Sequence, residues 1–114
     1  MTASHLETTL LYLIRANLLP EPLIEYKFCE YRKWRADIYY PPFTRPSQPR
    51  AIIIEAEGGT RNPNMKSRHT SPKGFRDDCI KYNWASMNDI IVLRFPADMI
   101  EDGTAIQTIK EALG

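Results

Sequence analysis

The chain has 114 residues, 43% apolar and 25% charged, a balance that excludes wholesale disorder and weighs against two independently folding units. No apolar run approaches the roughly 18 to 20 residues a membrane span needs, and residues 1–7 lack the basic cap and apolar core of a secretory signal. The net charge of +1 hides an asymmetry: residues 27–81 hold twelve Lys/Arg against six Asp/Glu, whereas the remainder holds three against eight. That division suits either a basic surface facing a polyanion or a solvated face with scattered charges.

Leu6, Leu10, Leu13, Ile14 and Leu18 recur at helical spacing and predict a helix over 6–19, ended by Pro20 and Pro22. Two β-rich runs, 24–30 and 34–40, flank a short polar stretch around Arg32 and Lys33 and read as a hairpin. Four prolines make 41–50 a loop. Residues 51–57 form a third strand whose continuous apolar start suits a central position, buried on both faces. Gly58 and Gly59 stop it, and a basic loop runs to Thr70. Ser71 and Pro72 supply a hydroxyl N-cap followed by proline at the first helical position, opening a helix to about Met87. A fourth strand covers 90–95 and a last helix 104–113. The order α-β-β-β-α-β-α predicts an α/β fold: one domain over 1–114, with a mixed four-stranded sheet flanked by helices. The two cysteines, Cys29 and Cys79, have no metal-binding spacing and read as reduced thiols of an intracellular, cytoplasmic protein.

The strongest chemical signal is Glu55-Ala56-Glu57, ending an otherwise apolar strand. Alternation along a strand puts both glutamates on one face, about 7 Å apart along the backbone. Like charges there repel and lose hydration, and a divalent cation such as Mg²⁺, which prefers carboxylate oxygens, offsets both penalties. Alternatively, both emerge into solvent beyond the sheet. Asp37 interrupts the second β-rich run and can approach Glu55 if the strands are neighbours; otherwise it faces outward beside Arg35. Glu7 falls inside the apolar stripe of the first helix, where a carboxylate needs a partner, or simply favours the helix dipole.

Arg61, Lys66, Arg68, His69, Lys73 and Arg76 gather between the third strand and the second helix, as phosphate-contacting residues that specify no base sequence. Phe75, Cys79, Tyr82 and Ser86 define one face of that helix. Lys81 lies off it, four residues after Asp77, the spacing of a surface ion pair; the other reading turns Lys81 towards the acids. Phe75, Tyr82 and Trp84 read as core or rim packing, not as base-stacking platforms.

The element order, with an acid in strand two and Glu-x-Glu ending strand three, resembles the PD-(D/E)XK, or restriction-endonuclease-like, nuclease superfamily. Glu25-Tyr26-Lys27-Phe28, Trp34-Arg35-Ala36-Asp37, Ile54-Glu55-Ala56-Glu57-Gly58-Gly59, Ser67-Arg68-His69-Thr70, Gly74-Phe75, Asp78, Lys81-Tyr82-Asn83 and Leu93-Arg94-Phe95 are similar to its small phage and prophage members. The resemblance implies an αβββαβα core and a Mg²⁺-dependent DNA endonuclease, Mn²⁺ substituting, that is structure-specific (Holliday-junction-resolvase-like or nicking), a kind of enzyme that commonly works as a homodimer. It implies metal ligation by Asp37, Glu55 and the Ala56 carbonyl. Glu57 stands where the superfamily carries lysine, and Ala36 replaces the signature proline. Lys81 is the matching basic residue from the following helix, with Glu57 a further candidate to orient water and Glu7 a support of the cluster. A chain that keeps this fold without catalysis, binding nucleic acid only, is the alternative that the missing strand lysine suggests.

Overall fold

A computed structural model describes residues 4–57 and 72–114. Its elements are α1 (His5–Ala16), β1 (Leu23–Lys27), β2 (Arg35–Tyr40), β3 (Ile52–Glu57), α2 (Pro72–Met87), β4 (Ile91–Pro96), α3 (Ala97–Glu101) and α4 (Thr104–Leu113). The expected basic loop, with Gly58, Gly59 and the cap residue Ser71, lies outside the described residues.

Ser4 caps α1 by accepting the Glu7 backbone N–H at 3.2 Å, satisfying one of the donors orphaned at a helix start. The helix stops short of the prolines because the Asn17 side chain donates to the Leu13 carbonyl at 2.8 Å and Leu18 turns left-handed, at φ 56°. The sheet order is β1-β2-β3-β4, antiparallel at the first two junctions and parallel between β3 and β4, the arrangement a helical crossover such as α2 permits. β3 is central, as its apolar start implied: Ile52, Ile53 and Ile54 are wholly buried.

Each face of the sheet carries its own core. On one, Leu10, Leu11 and Ile14 of α1, Ile100 of α3, and Ile109 and Leu113 of α4 pack on Ile38, Tyr40, Ile52, Ile54 and Phe95. Tyr40 also donates its hydroxyl to the Pro20 carbonyl at 2.8 Å, and Gln48 donates to the Ala112 carbonyl at 2.7 Å, tying the flanking loops to this layer. On the other face α2 lies over a smaller cluster of Ala36, Tyr39, Ala51, Ile53 and Ala85, edged by Phe28, Trp84 and Val92. The short helix α3 has no counterpart in the sequence reading. Among the described residues, no helix is long and apolar enough to cross a membrane.

Strict alternation would place Ala36 with Ile38 and Tyr40, yet Ala36 packs with Tyr39 on the α2 side. Tyr26, paired with Ala36, correspondingly stacks on Tyr39 at 4.5 Å. Both strands of the hairpin therefore change face at the rung between them. The pairs Ile24 with Ile38 and Tyr26 with Ala36 set Glu25 opposite Asp37 at that rung, and Glu25 sits in the left-handed region at φ 50°. A non-glycine residue held there carries roughly 1–3 kcal/mol of backbone strain.

Candidate functional site

The face change at Asp37 lets one carboxylate serve two sides of the sheet. Towards α1, ligand oxygens of Glu7, Glu25 and Asp37 all lie within 4.8 Å of one another. Glu7 is delivered there by its place on the buried stripe of α1, with Leu10 and Ile14, and is only 7% exposed. Its Oε2 is buried with no hydrogen-bond partner among the described residues. Burial, then the charges of Asp37 and Glu25, push the Glu7 carboxyl up to about 8.

Towards α2, Asp37, Glu55, Ala56, Glu57 and Lys81 line a cleft of about 230 Å³, together with Arg35, Asp78 and Tyr82. Here side chains close the β2–β3 ladder. The Asp37 N–H donates to Glu55 Oε2 at 3.3 Å, and the Ala56 N–H donates to Asp37 Oδ2 at 2.9 Å. The Lys81 ammonium donates to Glu55 Oε1 and, at 3.2 Å, to the Arg35 carbonyl. Burial raises the Glu55 carboxyl to about 7; the Lys81 charge opposes that rise and Asp37 adds to it. Lys81 also lies over the Phe28 and Tyr82 rings, 5.8 and 5.5 Å from their centroids, which holds the ammonium at the cleft wall.

The helical-wheel reading of α2 needs correction. Its buried residues are Gly74, Asp78, Lys81 and Ala85, so Lys81 lies on the inward stripe and turns to the acids, not to Asp77 as a surface pair. Phe75, expected in the core or at its rim, is 64% exposed and so stands at the rim. The reason is compositional: a helix over a polar cleft buries small and charged side chains, which apolar periodicity does not register. Lys73 and Arg76 are exposed on α2, away from the cleft lining. Arg61, Lys66, Arg68 and His69 fall outside the described residues.

Glu57 faces the cleft, but it accepts from Arg94 Nε at 2.5 Å, and the Arg94 guanidinium lies 4.5 Å from the Tyr82 ring centroid. The expected ligand set of Asp37, Glu55 and the Ala56 carbonyl thus surrounds the cleft with Glu55 already held by Lys81. Among the described residues, the three carboxylates that meet as potential ligands are Glu7, Glu25 and Asp37. Glu25 had no role in the sequence reading beyond the resemblance; a register count across the hairpin is the signal that finds it.

No family model matches this chain, and neither a curated protein nor a solved structure matches it.

Chemically, the donor set suits a hard divalent cation. All three converging groups are carboxylates, and an orphaned buried oxygen on Glu7 is what a cation with oxygen ligands would satisfy. The Lys81–Glu55 pair beside it places one buried ammonium where an anion entering the cleft would meet it.

Proposed function

We propose that the chain is a Mg²⁺-dependent phosphodiesterase acting on DNA, with the restriction-endonuclease-like topology that its element order resembles. The observation that carries this reading is the buried, unpartnered Glu7 oxygen facing Glu25 and Asp37, beside a lysine–glutamate pair in an open cleft.

Asp37 would be the ligand common to both sides, with Glu7 and Glu25 able to hold the cation towards α1 and Glu55 and the Ala56 carbonyl towards α2. When bound, the cation lowers the pKa of a coordinated water and neutralises charge on a phosphate. Lys81 favours the ionised form of Glu55 against the effect of burial and offers its remaining donor capacity to a phosphate oxygen or to the attacking water. Glu55, accepting from both Lys81 and the Asp37 amide, is held in place to orient that water. Exposed Lys73 and Arg76 supply contacts to flanking phosphates, which fix position and not sequence. A homodimer, which a solution mass measurement reads directly, sets two such sites on two strands.

The test is a cleavage panel of single strands, duplexes, flaps and four-way junctions, with Mg²⁺ or Mn²⁺ and with chelator. Metal-dependent cleavage that Asp37→Asn abolishes, with DNA binding kept, supports the reading. Full activity of that variant overturns the site.

The Arg94–Glu57 pair favours a second reading, a nucleic-acid-binding module without catalysis, because it closes the strand position where the resembled superfamily carries its lysine. Binding that falls steeply with salt, without cleavage under any metal, would select it.

A further inference from the structure

Beside the acid cleft lies a second cavity of about 350 Å³, lined by Phe75, Asp78, Cys79, Tyr82, Asn83 and Arg94. The α2 members recur at three- and four-residue intervals and so form one stripe of the helix facing β4. Asp78 and Tyr82 border both cavities, which makes the two contiguous. Phe75 stands at the rim, 64% exposed, and among the described residues it stacks on no other ring. Across from it the Arg94 guanidinium covers Tyr82.

We propose that this cavity receives a single unpaired nucleobase of a strand whose phosphate enters the acid cleft. The proposal rests on the nuclease reading and narrows its substrate to DNA with single-stranded or frayed character. Three observations carry it. A planar heterocycle fits the volume, and the exposed Phe75 ring offers it a stacking face. Asn83, on the wall, has an amide able both to donate to and to accept from a base edge. Arg76, exposed on the same helix and next to Phe75 in the chain, provides a cation beside which a backbone runs. A base paired inside a duplex has both faces stacked and its edge engaged, so it cannot enter without being unpaired. Because every base has a π-face, stacking on Phe75 is tolerant of sequence.

The experiment places a fluorescent adenine analogue in a short single strand and in a matched duplex. Binding is read by quenching in the Asp37→Asn background, which removes hydrolysis; cleavage is read separately with the unaltered chain in Mg²⁺ or Mn²⁺. The expected result is quenching of the single strand, lost in Phe75→Ala with affinity about 5- to 100-fold weaker, recovered in Phe75→Trp, and duplex affinity unchanged. Phe75 is exposed, so an unchanged melting temperature separates this from misfolding. Equal quenching and affinity in Phe75→Ala overturn the subsite, even if cleavage is observed. Phe75-dependent quenching with no cleavage under any metal upholds the subsite and overturns hydrolysis instead.

Discussion

The two faces of the sheet solve different problems. The α1–α3–α4 face is closed by leucines and isoleucines, including Leu10, Ile14, Ile38, Ile54 and Ile109, all wholly buried. The α2 face is thinner, and the helix over it buries Gly74, Asp78, Lys81 and Ala85. One face is held by apolar area removed from water. The other keeps charges in place by pairing them, which contributes little net stability but fixes their positions. Asp37 and Glu7 mark where these regimes meet, since Glu7 is a carboxylate carried on the apolar side.

This contrast can be broken by substitution. If the proposed hydrolysis holds, the largest expected effect belongs to Asp37→Asn, a loss of metal-dependent cleavage of about a thousandfold or more in a steady-state assay. Next comes Lys81→Met. It leaves Glu55 buried without its partner and is expected to cost about 3 kcal/mol in denaturant unfolding, much of it recovered by adding Glu55→Gln. Ile54→Ala, on the apolar face, costs about 2–5 kcal/mol and leaves no unpaired charge whose neutralisation could restore it. Recovery in the first case and not in the second is the difference between pairing and packing.

A smaller effect follows from Glu7. Its carboxyl titrates near 8 in the fold against 4.5 when unperturbed, so the folded state holds a proton that the unfolded chain releases. Its contribution is therefore fully present below about 4.5 and is lost as pH rises through about 8. Metal-free protein is expected to melt lower at pH 8 than at pH 6 on this account. Mg²⁺ is expected to raise the melting temperature more at pH 8, by about 4–8 °C for each 1 kcal/mol, and Glu7→Gln to remove both responses. The smallest effect is Gly103→Ala, before α4. Gly103 has φ 91° with nothing within 4 Å of an added Cβ, so the cost is conformational alone. About 1–2 kcal/mol of stability, with cleavage unchanged, is expected.

The apolar side was legible because burial there leaves a period: Leu10 and Ile14 mark α1, and the Ile52–Ile54 run marks the central strand. On the polar side the sequence misleads. The α2 stripe contains glycine, aspartate, lysine and alanine, so the apolar pattern pointed to Phe75 and away from Lys81. Glu25 was hidden by register. A hairpin centred on Arg32 and Lys33 would pair residue 28 with 37, whereas the actual pairing is centred on Tyr31 and brings residue 25 opposite Asp37. The left-handed backbone at Glu25 is equally silent, because no glycine or asparagine announces it. Asp37 and Glu55 were legible as acids interrupting β-rich runs, and the Asp37 N–H to Glu55 contact brings them together.

The ladder between β2 and β3 has a consequence for observation. At its open end the Asp37 and Ala56 amides are bonded to carboxylates, not carbonyls. Their hydrogen exchange and nitrogen chemical shifts must therefore respond when those carboxylates are protonated or claimed by a ligand, whereas Ile53 and Ile54, deeper in the same strand, have no such dependence. Two backbone nuclei thus provide a built-in gauge of what the acidic groups are holding, readable without any substrate.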